Sequence, residues 1–89
     1  MIICNVIGHV WATKKDEQLE GLKLMVVQES DGPKRKTYVA ADAVGAGIGE
    51  MVLVVSGSTA RGVFGNGHVP VDMAIVGIID NLEVNRNAK

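Results

Sequence analysis

Aromatic side chains are scarce in this sequence, which contains only Trp11, Tyr38 and Phe64 among its 89 residues. Its formal net charge is −1. Proteins that bind single-stranded nucleic acid combine a basic groove with aromatic side chains on which the bases stack. Because the sequence provides neither feature, we expect no nucleic acid as a partner.

Cysteine and long apolar runs are also scarce. The single cysteine, Cys4, excludes an internal disulfide and suits a reducing compartment. The longest unbroken apolar runs have about five residues, far fewer than a membrane span needs. The amino terminus lacks the basic region and the cleavage site of a signal peptide. We therefore expect a soluble, cytoplasmic protein with no membrane partner.

Apolar residues nevertheless make up 47% of the chain, and most of them are Val, Ile, Leu and Ala. This composition is typical of a globular protein, and the length predicts one domain spanning residues 1–89. Short runs rich in Val and Ile, separated by turn residues, predict an all-β fold that closes into a small barrel. The predicted strands are residues 2–7 with 10–13, 23–28, 37–41, 51–56, 74–80 and 82–85. Short helical turns are predicted at residues 15–19 and 40–44.

Three of the predicted strands carry continuous apolar runs, at residues 24–27, 51–55 and 74–79. A strand with one face in water should alternate apolar and polar residues, so continuous runs indicate burial on both faces. So short a chain has no helix to spare for covering the outside of its barrel. We therefore predict that further copies of the same chain cover it, in an obligate homo-oligomer.

The segment after residue 42 has glycine at alternate positions, Gly45, Gly47 and Gly49. A dinucleotide-binding loop would need its third glycine at position 50 and a helix after it. Glu50 stands there instead, where its carboxylate would repel a pyrophosphate, and a strand-like run follows. No Gly-Lys-Ser/Thr triplet forms a phosphate-binding loop either. We predict no cofactor and interpret these glycines as serving tight turns and close approach.

Residues with catalytic or metal-binding chemistry do not form a recognised pattern. The hydroxyl groups of Ser58 and Thr59 lack the G-x-S-x-G context of a nucleophile elbow, and turn formation explains them better. Cys4, His9 and His68 match no standard zinc spacing. We therefore predict no catalytic residues and no metal.

Arg61 follows a tight turn beside an apolar run, where a guanidinium group needs a partner. Its planar fork suits a bidentate carboxylate contact, within the chain or across a subunit boundary. The alternative is a solvated surface arginine. The candidate acids are Asp42, Asp72 and Asp80.

Three segments, residues 8–28, 39–61 and 70–84, together resemble the bacterial microcompartment vertex proteins, the family of the carboxysome and ethanolamine-compartment pentamers. The second segment is the most specific. It reads Asp-x-x-Gly-Ala-Gly, then Glu, a Val/Leu run and Gly-Ser-Thr-Ala-Arg. Thr59 stands where the family often has serine, a change that keeps the hydroxyl group.

The resemblance implies a five-stranded barrel similar to an oligonucleotide/oligosaccharide-binding fold. It also implies a homopentamer that caps the five-fold vertices of a polyhedral shell, next to hexameric shell proteins of an unrelated fold. Such proteins are not enzymes. Small residues in two loops would then lie at subunit contacts or around the central opening. These residues are Gly45, Ala46, Gly47, Gly49, Gly57, Ser58 and Thr59.

Two other functions are consistent with parts of the sequence. One is a barrel-type module that binds nucleic acid or a small ligand, which would be a monomer or a dimer. The other is a small enzyme that uses Ser58 or Thr59 with a histidine.

Overall fold

The computed structural model describes residues 1–12, 16–65 and 69–85. The regular elements of these residues are five strands, a 3₁₀ turn at Glu17–Leu19 and one α-helix. In chain order they are β1 (Ile2–His9), β2 (Lys23–Glu29), β3 (Thr37–Asp42), β4 (Met51–Ser56), α1 (Gly57–Val63) and β5 (Met73–Ile78).

The five strands close into a barrel with the order β1-β2-β3-β5-β4. Every neighbouring pair is antiparallel except β3 and β5, which pair in parallel where Ala41 lies opposite Ala74. Closure leaves no free sheet edge. The predicted fold class, a small five-stranded all-β barrel with short helical elements, is confirmed.

The barrel interior is filled by one cluster of aliphatic side chains from alternate strand positions. Its largest fully buried members include Met25 and Ile75. Partly buried Ile2, Tyr38 and Ile78 pack against this cluster. The other buried members are Cys4, Val6, Val27, Ala40, Ala46, Val52, Val54 and Met73.

A second, smaller cluster lies on the outside of the barrel, between α1 and strands β4 and β5. Ala60 of the helix is fully buried against Val55 and Ala74, and Phe64 and Val76 pack at its margin. The expectation that the chain has no helix to spare for the outer wall is therefore wrong. The covered strip accounts for part of the two-sided burial predicted for β4 and β5.

Three local predictions differ from the structure. Residues 40–42 continue β3, because Ala40 and Ala41 pair with Met25 and Leu24, so no helical turn forms there. Residues 82–85 form no strand and lie exposed. Residues 10–12 form no second part of the first strand, and Thr13 is outside the described residues. The 3₁₀ turn falls within the helical turn predicted at 15–19, whose first residue is not described.

Candidate functional site

The loop that follows β3 is organised by the carboxylate of Asp42, whose side chain is only 2% exposed. Its Oδ1 accepts hydrogen bonds from the backbone N–H groups of Val44 and Gly45, at 3.0 and 3.1 Å. Its Oδ2 accepts a third from Ala46 at 2.8 Å. Three donors on one carboxylate fix the path of the chain as it leaves the barrel.

Lys23 holds the same loop from the neighbouring strand. Its Nζ donates to the backbone carbonyl of Ala46 at 2.8 Å and lies 3.8 Å from Oδ2 of Asp42. Because Lys23 and Asp42 are register partners on β2 and β3, the sheet itself brings the two charges together. The ammonium group partly balances a carboxylate that has lost most of its water.

The far end of the loop is held by Glu50 and by strand β1. Glu50 Oε1 accepts the N–H of Gly47 at 2.6 Å. Val6 N–H donates to the carbonyl of Glu50, and Gly49 N–H donates to the carbonyl of Val6. Gly49, with φ of 94°, and Gly45, with φ of 83°, adopt backbone conformations that a residue with a Cβ rarely enters.

These contacts argue against a nucleotide-binding role for the loop. A phosphate cradle needs several free backbone N–H groups that point to one spot. Here Asp42 and Glu50 already occupy the N–H groups of residues 44–47. Two carboxylates in that position would repel an anion. The loop is a self-closed structural element that presents exposed Val44 and Ile48 to the outside.

The second predicted loop, residues 57–59, is not an isolated turn between strands. It forms the first turn of helix α1. Gly57, with φ of 69°, begins the helix, and its N–H donates to the carbonyl of Asp72. Ser58 and Thr59 are exposed on that turn. Gly45–Gly49 leave the β3 end of the barrel, whereas Gly57–Thr59 follow the opposite end of β4. The structure therefore does not bring the two predicted loops together within one chain.

Arg61 is half-buried on α1, and it forms no ion pair within residues 1–12, 16–65 and 69–85. Asp42 is already engaged by Lys23 and by the loop. Asp72 and Asp80 are exposed. A contact of Arg61 with an acid of another copy stays a prediction.

The Glu29 carboxylate accepts two hydrogen bonds at the end of β2. Its Oε2 accepts the Tyr38 hydroxyl at 2.9 Å, and its Oε1 accepts the N–H of Lys36. The hydrogen bond to Glu29 raises the pKa of Tyr38, because the ionised phenol could no longer donate that hydrogen bond.

The buried thiol of Cys4 is also affected. Burial raises its pKa, and the negative charge of Glu29 raises it further. The thiol is therefore held in its unreactive form.

No three His, Cys, Asp or Glu side chains within the described ranges are placed together to hold a metal ion. His68 lies outside those ranges. None of the helices in the described chain has the length and apolar character needed to span a membrane.

Sequence reasoning identified the glycines of the 42–50 loop but missed its anchors, Lys23 and Glu50. The spacing from Asp42 to residues 44–46 is that of a carboxylate that caps the backbone just after it, so turn chemistry offered a signal for that contact. Lys23 gave no such signal, because its role depends on strand register.

The fold and the loop define a small closed barrel with apolar outer walls and a carboxylate-anchored loop. Residues 1–80 match the model of the family described as ethanolamine utilisation protein EutN/carboxysome. The chain belongs to this family.

Relatives with known names are similar in sequence over nearly the whole chain. The bacterial microcompartment shell vertex protein GrpN of Rhodospirillum rubrum is 46% identical over 93% of this chain and 97% of its own. The carboxysome shell vertex protein CcmL of Synechocystis is also 46% identical, over 94% of this chain and 87% of its own.

Solved structures show the same fold. The pentameric microcompartment shell protein GrpN of Rhodospirillum rubrum has a TM-score of 0.85 and 43% identity, over 96% of this chain and 100% of the other. The ethanolamine utilization protein EutN has a TM-score of 0.88 and 37% identity, over 94% and 91% of the two chains.

Proposed function

We propose that this protein is a structural shell protein that assembles as a homopentamer and caps the five-fold vertices of a bacterial microcompartment. The similarity to the pentameric shell protein GrpN, over the full length of that chain, carries this proposal. The apolar strand faces that α1 leaves uncovered support it, since a lone barrel would expose them to water.

The partners follow from this role. Five copies contact one another, and the ring contacts the hexameric shell proteins of the facets, inside the cytoplasm. The whole chain, residues 1–89, acts as one vertex domain. We assign it no enzymatic activity and no cofactor, because the relatives that it matches are named as shell vertex proteins.

The small residues of the two loops retain a role in this proposal. Val44 and Ile48 are exposed beside Gly45, Gly47 and Gly49, so the loop apex is available to another copy. Ser58 and Thr59 are exposed on the opposite end of the barrel and suit a narrow, polar and uncharged rim. Gly57 starts that turn, whereas Ala46 is fully buried in the barrel core and its side chain does not face another copy.

Shell shape tests the proposal in cells. Flat sheets of hexamers lack the curvature of a five-fold corner, so shells made without this chain should be open or elongated by electron microscopy. Re-expression of the protein should restore closed polyhedra. Closed, regular polyhedra in its absence, with no second vertex protein encoded, would contradict the role.

A further inference from the structure

The connection between β2 and β3 carries three consecutive basic residues, Lys34, Arg35 and Lys36, which we call the basic tip. They are three of the nine lysine and arginine residues in a chain whose net charge is −1. All three are exposed. No ion pair joins these side chains to a carboxylate of residues 1–12, 16–65 or 69–85. The basic tip therefore concentrates positive charge at one place on a nearly neutral chain.

Hydrogen bonds hold the backbone of the basic tip to the end of β2. The N–H of Glu29 donates to the carbonyl of Lys36 at 2.9 Å, and the N–H of Lys36 donates to Oε1 of Glu29 at 3.2 Å. The side-chain Nε2 of Gln28 donates to the carbonyl of Arg35 at 3.3 Å. The backbone positions from which these charged side chains extend are therefore fixed relative to the barrel.

The backbone at Arg35 is strained. Among the described residues other than glycine, Arg35 alone has a positive φ, at 38°. This left-handed region is unfavourable for a residue with a Cβ, and glycine or asparagine would adopt it more easily. Strained backbone of this kind is found preferentially at sites that bind or react. The turn thus keeps a positive charge at a position where an uncharged residue would be less strained.

We propose that the basic tip binds an acidic segment of another protein, one in which several Asp or Glu side chains lie close together. The planar guanidinium group of Arg35 can bind one carboxylate through two parallel hydrogen bonds, and the two lysines attract further carboxylates. Because the backbone of the tip is fixed, less conformational entropy is lost on binding. This contact goes beyond the proposed function and does not depend on the number of copies in the assembly.

The surroundings of the basic tip favour carboxylates over a nucleic acid. Glu29 and Asp31 come just before the tip, so the positive stretch is short, whereas a surface for single-stranded nucleic acid follows the backbone over several phosphates. Tyr38 is the aromatic residue nearest to the tip in sequence. It is partly buried against the barrel core, and its hydroxyl is bound to Glu29, so it is not an exposed platform for bases.

Binding of a labelled peptide to the full chain tests the proposal. The probe is a fluorescein-labelled oligo-glutamate peptide, and fluorescence anisotropy measures its affinity at low ionic strength. A tip variant removes the three charges with side chains of similar length, through Lys34→Gln, Arg35→Gln and Lys36→Gln. A control variant changes the net charge by the same amount at other positions, through Lys14→Gln, Lys15→Gln and Lys89→Gln.

The wild type and the control variant should bind the peptide equally well. The tip variant should bind it about tenfold more weakly, because each exposed ion pair contributes little and three act together. Raising the ionic strength to about 0.15 M should weaken binding by the wild type. Equal affinities of the wild type and the tip variant would overturn the proposal. Tighter binding of the wild type to single-stranded oligothymidylate than to oligo-glutamate would also overturn it, since the partner would then be a nucleic acid.

Native mass spectrometry of the same samples separates this proposal from the proposed function. The tip variant should remain a pentamer while it loses affinity for the peptide. Loss of the pentamer in the tip variant alone would assign the basic tip to contacts between copies and would overturn the inference. A monomeric wild type that binds the peptide through the tip would contradict the proposed function and leave the inference standing.

Discussion

Replacing Asp42 with alanine should lower the free energy of unfolding by about 3 kcal/mol, because the side chain is a buried acceptor for several donors. Its carboxylate accepts the N–H groups of Val44, Gly45 and Ala46 and pairs with Lys23. Alanine would leave the buried N–H of Ala46 and the Lys23 ammonium without that partner. Chemical denaturation at a fixed chain concentration measures the change.

Two further variants test whether the loss of stability comes from the Asp42 carboxylate itself. Asp42→Asn keeps the shape and one acceptor oxygen, so it should cost roughly half as much. Glu20→Ala removes an exposed acid and should stay within about 0.5 kcal/mol of the wild type. If Asp42→Ala were as stable as Glu20→Ala, the carboxylate would not organise the loop.

Replacing Ala60 with glutamate should be at least as damaging, by about 4 kcal/mol or more, because it forces a charge into a packed apolar site. Ala60 is 0% exposed and lies against Val55 and Ala74. We expect α1 to leave the barrel wall and to expose the strip beneath it. Thermal denaturation and binding of a hydrophobic dye would report both effects.

The neighbouring position provides a matched control. Thr59→Glu places the same charge one residue earlier, on the exposed first turn of the helix, where a negative charge is favourable. It should leave the melting temperature nearly unchanged. Ala60→Val adds bulk without charge and should cost about 1–3 kcal/mol, so a measurable result remains if the glutamate variant fails to fold. Equal stability of Ala60→Glu and Thr59→Glu would contradict the packing of α1.

The strands were predictable because Val and Ile runs and turn residues mark them directly. β4 was predicted at its exact bounds, and β2 and β3 were each one residue short. Continuous apolar runs also indicated two-sided burial. They did not reveal that a helix supplies part of the cover, because that depends on which strands meet in the closed barrel.

Helix α1 was missed because its residues are poor helix formers. It has seven residues, including Gly57 and Gly62, and Ser56 makes no side-chain capping bond at its start. Such a helix forms through tertiary packing of Ala60 and not through propensity. The exposed segment at 82–85 was wrongly predicted as a strand for the opposite reason. Its apolar residues suited a strand, but the barrel had already closed without it.

For the 42–50 loop, the spacing of residues in the sequence predicted some properties and not others. Positions of glycine and Glu50 were enough to reject a nucleotide loop. The functions of Lys23 and Glu50 as anchors needed the register of β2 with β3 and the contact of the loop with Val6.

Native mass spectrometry of the purified full chain at micromolar concentration tests the central claim most directly. The account predicts one dominant species of five times the 9.4 kDa chain mass. A population of monomers or dimers at that concentration would contradict a pentameric vertex protein.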